Sequence, residues 1–581
     1  MNQELANIFY EIAIILEIKK VQWKPAAYRK AARALESLGE EVAEVYKEKG
    51  EKGLEEIPGV GEAIAKKIIE YIETGKVKHL EELKKTIPKG VVEMMKVSGI
   101  GAKKAVKLYE NLGITSVKEL EKAAKKHKIS GLETFKEKSE ENILKGIELL
   151  KASKGRTLLG FALPIARDIE KKLKSLKEVK EAITAGSLRR REETIGDIDI
   201  LVISEDNQKV VKFFTKLPIV KRILAKGETK AAILTKDNMQ VDIRIVDENS
   251  FGSALQYFTG SKEHNIHLRK IAIKNKLKLS EYGLFKENQI IVKREKDAYR
   301  KLGVAGKTEE EIYKKLGMKY IEPELRTERG EIEAALTNKL PKLVGYEDIL
   351  GDLHVHTKYS DGDNSIEEMA KAAKENGLKY IAITDHGGKT ISHINEKELE
   401  KQIKEIDELN KKMQGITILK GVEVDVNSNG SLALKDSVLK KLDIVIASVH
   451  SGFKFPDDKQ TARVLKAMDN PYVNILGHPT GRLIQRREPL NLELDKIYAK
   501  AKEKNIALEI NASPDRLDLN GANVKEVIAK GVKLAIGTDA HSISQLNCLE
   551  LGTAVARRGW ATKKDVLNTL DLKALKNFLK K

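Results

Sequence analysis

One cysteine in 581 residues, Cys548, excludes an intramolecular disulfide and any cysteine-rich zinc site. Long apolar runs are missing as well: no stretch approaches the ~18 consecutive apolar residues of a membrane span. The first residues, MNQELANIFYEIAIILEIKK, place Glu4 where a secretory signal would carry positive charge, and no small-residue cleavage pattern follows. These absences predict a cytoplasmic protein without a membrane partner. Histidine is scarce too, at 11 residues, so any clustering of it carries information.

What is present describes folded, soluble material. Hydrophobic residues make up 41% and charged residues 33%, and the length calls for three to five domains. Net charge is +19, unevenly spread. Residues 346–581 hold 37 Lys and Arg against 34 Asp and Glu, or +3, which leaves +16 for residues 1–345. A strongly basic first part suits a polyanionic partner such as DNA.

The periodicity divides the chain. Residues 1–150 carry apolar residues at helical spacing, broken by short glycine turns. From about 157 strand-like runs enter, among them Ile198–Ile203 and Val241–Val246, with helices between them. Residues 251–335 form a small mixed segment, and 336–347, with Pro341 and Gly345 as breakers, reads as a linker. From 348 onward, runs such as YIAITDH, LDIVIASVH and KLAIGTDAH alternate with helices, which predicts a parallel α/β barrel. The expected domains are 1–85 and 86–150 (helical), 151–250, 251–335 and 348–581.

Two segments repeat one pattern, Ile57-Pro58-Gly59-Val60-Gly61 and Val97-Ser98-Gly99-Ile100-Gly101, each followed by a lysine-bearing helix. In a helix-hairpin-helix, Gly59, Gly61, Gly99 and Gly101 let the backbone approach closely, and N–H groups of the next helix can hold a DNA phosphate. Such a contact positions DNA without reading its sequence.

Gly186-Ser187-Leu188-Arg189-Arg190 is followed by Gly196-Asp197-Ile198-Asp199. Asp197 and Asp199 stand two apart on an expected strand, so both side chains face one way. Asp242, in a second strand, would complete a three-carboxylate cluster able to clamp Mg²⁺ or Mn²⁺ for two-metal phosphoryl transfer. Ser187 and Arg190 are placed to meet a triphosphate.

Over about residues 1–335 these features resemble the DNA polymerase X family, of which polymerase beta is the best-known member. The resemblance implies a palm with metal aspartates Asp197, Asp199 and Asp242, and phosphate contacts at Gly186, Ser187, Arg190 and Gly196. It implies a sugar-contacting loop at Tyr257, Phe258 and Gly260, followed by Asn265 for the nucleotide and Arg269 for the template. Arg191 and Lys262 depart from polymerase beta, which has glycine and aspartate there. The implied partners are dNTPs and gapped or primer-template DNA, bound by a monomer. The family often adds a deoxyribose-phosphate lyase. Lys67 occupies its nucleophile position and Lys24 and Tyr28 its supporting ones, while Trp23 and Ala63 replace residues polymerase beta uses there.

Six of the 11 histidines fall in short motifs after residue 350. These motifs are Asp352-Leu353-His354-Val355-His356, Ser360-Asp361-Gly362, Thr384-Asp385-His386, Gly421-Val422-Glu423, Ser448-Val449-His450, Gly477-His478-Pro479 and Thr538-Asp539-Ala540-His541. Most end an apolar run, and in a parallel barrel the strand ends converge on one mouth. Imidazole with carboxylate suits Zn²⁺, Mn²⁺ or Fe²⁺. His393 lies outside these motifs and receives no role.

This half resembles the PHP (polymerase and histidinol phosphatase) domain, which implies a (β/α)₇ barrel holding up to three metals. By that resemblance His354, His356, Glu423 and Asp539 bind one ion. Glu423, His450 and His478 bind a second, and Asp361, His386 and His541 a third. Several members have histidine in place of Asp361. Arg482, four residues after His478, is a candidate phosphate contact. PHP domains joined to X-family polymerases are typically Mn²⁺-dependent 3′–5′ exonucleases that can act at abasic sites and blocked 3′ ends. The expected function is gap filling in base excision repair with 3′-end cleaning. A phosphatase for small metabolites is the rival for the second half, opposed by the basic first part. A non-catalytic DNA-end binder is the rival from another class, opposed by the presence of all three aspartates.

Overall fold

A computed structural model describes residues 1–581 except 20, 39–40, 58, 88–89, 96, 98–99, 133–134, 136, 154, 287–302, 389–392 and 581. The expected glycine-turn residues Pro58, Ser98 and Gly99 therefore lie outside the described residues. Among the described residues, no helix is long and apolar enough to cross a membrane. The chain divides into two compact units. Residues 1–154, 345–553 and 563–581 form one, and 155–344 with 554–562 form the other.

The described residues up to Ser153 form helices joined by short turns. The helices Asn2–Ile18, Lys24–Ser37, Val42–Glu55 and Glu62–Thr74 bury Leu5, Phe9, Ile12, Leu35, Leu54 and Ile68 in one core. The following helices build a second core around Met94, Val97, Leu108, Leu120 and Ile143. Gly59 takes φ of 74°, and a Cβ there would meet Lys30 Cγ at 2.8 Å, so only glycine fits where this turn lies on the second helix. Gly61 and Gly101 are the extended residues that start the helices Glu62–Thr74 and Ala102–Leu112.

The second unit centres on a five-stranded sheet in the order Val179–Thr184, Asp197–Ser204, Gln240–Ile245, Lys230–Thr235, Val220–Lys226. Strands Asp197–Ser204 and Gln240–Ile245 run parallel, while the other neighbours are antiparallel. The helices Phe251–Thr259 and Lys262–Lys274, the hairpin Leu277–Ser280/Gly283–Lys286 and the helix Glu309–Lys315 follow. Leu268, Leu284, Ile312, Tyr313 and Ile332 form their core.

From Gly351 the chain winds a barrel of seven parallel strands: Gly351–Val355, Tyr380–Ile383, Thr417–Asp425, Ile444–Ser448, Ile475–Leu476, Ala507–Asn511 and Leu534–Gly537. Each strand is buried along nearly its whole length, which explains the near-continuous apolar runs that marked it in the sequence. The first strand closes on the segment after the last. Asp539 N–H donates to His354 O at 2.9 Å, and His356 N–H to Ala540 O at 2.8 Å. Asn568 closes the other end. Its buried amide donates to Gly351 O and Ile536 O, each at 2.8 Å, and accepts from Ile536 N–H at 2.7 Å.

Candidate active sites

In the palm sheet the register places Asp199 directly opposite Asp242, and Asp197 opposite Gln240. Alternation along Asp197–Ser204 buries Ile198 and Ile200 and leaves Asp197 exposed and Asp199 half-buried, both on the other face. Three carboxylates thus share one surface. Burial first, then the charges of Asp197 and Asp242, push the Asp199 carboxyl up to about 7. Burial and Asp197 also raise Asp242, against the hydrogen bond it accepts from Gln240 Nε2 at 2.8 Å. Crowded oxygen ligands that resist ionising together fit a hard divalent cation.

Gly186 sits against this cluster with φ of 64°, and a Cβ there would lie 2.6 Å from Asp199 Oδ2. Ala185 N–H donates to Asp199 O at 2.7 Å, which ties the turn to the metal strand. A cleft of about 500 Å³ opens beside it. Asp197, Asp199, Gly186, Ser187, Arg190, Tyr257, Phe258, Gly260, Asn265 and Arg269 all line it. Arg190 NH1 donates to Thr259 O, which joins the phosphate turn to the Tyr257–Gly260 loop. Asn265 is fixed twice: it donates to Tyr257 O and accepts from Gln256 Nε2, each at 2.7 Å. Gly196 lies beside Arg156, whose guanidinium NH1 a Cβ there would meet at 3.3 Å. Arg156, Glu192 and Lys262 also line the cleft. Of these, the sequence reading noted only Lys262.

In the first helical core, Lys67 Nζ donates to Ala63 O at 2.8 Å. Burial lowers its ammonium pKa; Glu70 opposes and Lys24 adds to that effect. Tyr28 is buried and stacks on His79 with 6.4 Å between ring centroids.

At the barrel mouth all nine expected ligands converge. Glu423 is the hub. One carboxylate oxygen lies 2.9 Å from His478 Nε2 and 3.1 Å from His450 Nε2. The other lies 2.7 Å from His386 Nδ1, 3.5 Å from His354 Nε2 and 3.6 Å from His356 Nε2. Asp539 is 3.1 Å from His356, and Asp361 is 3.1 Å from His541. Three groups have donors close enough to share an ion: His354 with His356 and Glu423, His386 with Glu423 and His450, and His356 with Asp361, His386 and His541. His356 thus also reaches the third group, which the sequence reading assigned to Asp361, His386 and His541. Glu423 is 1% exposed, and the histidine ring nitrogens around its carboxylate fit borderline divalent metals. Burial with His541 and His386 pushes His356 down to about 3, so it stands neutral with a lone pair to offer. Burial opposes charge on His450, but Glu423 and Asp425 push it up to about 10.

A supporting shell escaped the sequence reading. Glu509 accepts from His354 Nδ1 at 2.6 Å and also from His478 N–H, and Asp425 accepts from His450 Nδ1 at 2.7 Å. The two imidazole contacts aim the Nε2 of His354 and of His450 inward. A Cβ at Gly537 would lie 2.4 Å from His354 Cβ and 2.6 Å from Glu509 Oε1. Glu509 is 1% exposed inside an apolar strand, and a lone acid in such a run was the available signal. Arg482 NH2 donates to Leu517 O, while Arg516 brings Nε to 3.6 Å from Asp539. His393 Nδ1 lies 3.3 Å from Asp425.

Family models match as a helix-hairpin-helix domain at 1–77, a SAM-like helix-hairpin-helix tandem at 91–148, DNA polymerase beta palm at 163–275, DNA polymerase beta thumb at 254–327 and PHP domain at 352–513. DNA polymerase/3′-5′ exonuclease PolX of Bacillus subtilis (strain 168) is 37% identical over 584 residues, covering 100% of this chain and 99% of that protein. A probable phosphatase of Thermoanaerobacter sp. (strain X514) is 35% identical over 39% of this chain and 94% of its own length. A probable phosphatase of Clostridium novyi (strain NT) is 38% identical over 33% of this chain and 78% of its own length. With a relative matched from end to end, and palm, thumb and PHP models in that order, this chain belongs to the X family of DNA polymerases that carry a C-terminal PHP domain.

Proposed function

We propose that the chain is a template-dependent DNA polymerase that fills short gaps during repair, and that its barrel is a 3′–5′ exonuclease that trims the same kind of end. The observation that carries the first part is the register of Asp199 on Asp242 with Asp197 beside them. Asp197, Asp199 and Asp242 would hold Mg²⁺ or Mn²⁺, which supplies charge stabilisation to phosphoryl transfer. The chain's own groups do the rest. Ser187 and Arg190 bind the triphosphate, with Gly186 and Gly196 leaving room for it. Tyr257 and Phe258 bound the sugar pocket, Gly260 shapes the loop beside them, Asn265 meets the incoming nucleotide, and Arg269 meets the template. Gly59, Gly61 and Gly101 let helix N-termini meet DNA phosphates, with Gly99 completing the second turn's pattern. The excess charge of residues 1–345 and the relative's printed name support DNA as the substrate.

For the barrel, His354, His356, Glu423 and Asp539 would hold one divalent ion (Mn²⁺, Zn²⁺ or Fe²⁺). Glu423, His450 and His478 would hold a second, and Asp361, His386 and His541, with His356 in reach, a third. Glu509 and Asp425 keep the imidazoles oriented. Arg482 or Arg516 would steer a phosphodiester to the mouth. Two relatives of this half are named probable phosphatases, so hydrolysis of small monoesters is the competing activity. Fusion to the basic half favours the nucleic acid. The protein acts as a cytoplasmic monomer in this reading.

A deoxyribose-phosphate lyase in the first core is favoured by one observation. Burial lowers the Lys67 ammonium pKa, and a Schiff base needs the neutral amine. Lys24 and Tyr28 flank it.

Separation of the two sites is the direct test. Asp199→Ala should cost several kcal/mol in the transition state, about a thousandfold or more in primer extension, and leave 3′ trimming within about twofold. His356→Ala with Glu423→Ala should do the reverse on a gel of labelled DNA. Extension surviving Asp199→Ala near the wild-type rate contradicts the palm assignment. Lys67→Ala should cut borohydride trapping on DNA with a 5′-deoxyribose phosphate; undiminished trapping assigns the nucleophile elsewhere. The raised Asp199 carboxyl makes a pH prediction. A group titrating at about 7 holds its proton below that pH and has lost it above. The proton therefore competes with the cation, and Mg²⁺ binding to the palm should tighten from about pH 6 to about pH 8. Calorimetry on the His356→Ala/Glu423→Ala protein checks this, and Asp199→Asn should flatten the dependence.

A further inference from the structure

The segment Ala554–Thr562 follows the last barrel strand in sequence, yet it belongs to the compact unit that contains the palm. Three residues anchor it there. Trp560 packs against the core of Leu268, Ile312 and Ile332. Ala561 O accepts Val344 N–H at 2.9 Å. Arg557 donates to Glu324 Oε1 at 2.7 Å and to Val344 O at 2.9 Å.

Arg558, one residue on, has different partners. Its NH1 donates to Arg190 O at 2.7 Å, and its NH2 to Glu192 Oε2 at 2.7 Å. The Arg190 carbonyl stands at the end of the four-residue helix Gly186–Arg189, where helix carbonyls lack an internal partner. A guanidinium fork can grip that carbonyl and a carboxylate together, which an ammonium does less well. Glu192 also lies 3.5 Å from Arg190 Nε, so its carboxylate sits between two guanidinium groups and takes its shorter contact from Arg558. Arg558 and Arg190 are mostly buried, at 13% and 15% side-chain exposure, so bulk water screens these charges little.

We infer that Arg558 is a positioning residue for nucleotide binding at the polymerase site. It fixes the backbone of Arg190 and holds the Glu192 carboxylate, so that Arg190 keeps its charge for the incoming triphosphate. Without Arg558, Glu192 swings onto Arg190 and opposes that anion. A residue beyond the histidine cluster thereby serves the other active site. The inference rests on the polymerase reading above.

The test is single-nucleotide insertion into gapped DNA by full-length variants. Arg558→Ala should raise KM for the dNTP about tenfold, the loss of a charged hydrogen bond, with kcat reduced less than about threefold. Manganese-dependent 3′ trimming should stay within about twofold of wild type. Adding Glu192→Gln to Arg558→Ala should recover part of the KM, an outcome that a merely structural role would not produce. Arg557→Ala, which loosens the same segment, should shift thermal stability and leave KM near wild type. If Arg558→Ala does not fold, Arg558→Lys carries the test, with KM raised about threefold or more. The inference is overturned by a wild-type KM in the Arg558 variant, by an equal rise in Arg557→Ala, or by no recovery on adding Glu192→Gln. A wild-type protein that inserts no nucleotide removes the polymerase reading, and this inference with it.

Discussion

Carboxylates govern both sites, crowded against one another in the palm and ringed by imidazoles at the barrel mouth. In the palm, parallel pairing sets Asp199 opposite Asp242 and leaves no register in which the charges separate. The result is an Asp199 carboxyl pushed up to about 7. In the barrel, Glu423 is fully buried and lies within 3.6 Å of five imidazoles. Burying charge costs several kcal/mol unless it is paired, and both arrangements fit a divalent metal. The glycines follow from the same constraint. Gly186 and Gly537 leave their carboxylate and imidazole neighbours the space a methyl group would take.

The two clusters use different donors for different demands. Oxygen alone in the palm suits a cation shared with substrate phosphates and exchanged between cycles. Imidazole with carboxylate at the barrel mouth, braced by Glu509 and Asp425, suits resident ions. A polymerase and a trimming activity both act at a DNA 3′ end, and the basic first 345 residues give one chain a means of holding that end.

Much of this was legible in the sequence, because the chemistry leaves short-range marks. Asp-x-Asp on a strand and His-x-His at a strand end place side chains on one face by the backbone period alone, and the nine expected barrel ligands do converge. The apolar runs after residue 348 became barrel strands, although VNILGHP supplied only Ile475–Leu476. What escaped depends on contacts between distant segments. Glu509 pairs with His354 across 155 residues, and Arg558 with Arg190 across 368. An Arg-Arg pair ending a helix reads locally as a solvated terminus. Arg516 likewise carries no local signature, whereas Arg482, chosen for its distance from His478, is tied to the Leu517 carbonyl.

One chain is expected both to lengthen and to shorten a DNA 3′ end, at two separate metal sites. The most direct measurement follows a 5′-labelled primer bordering a short gap, incubated with the full-length protein and Mn²⁺, with and without dNTPs. The primer should grow by the gap length when dNTPs are supplied and shorten stepwise when they are withheld. A primer unchanged in both conditions, from a protein that readily hydrolyses small phosphate monoesters, would contradict it.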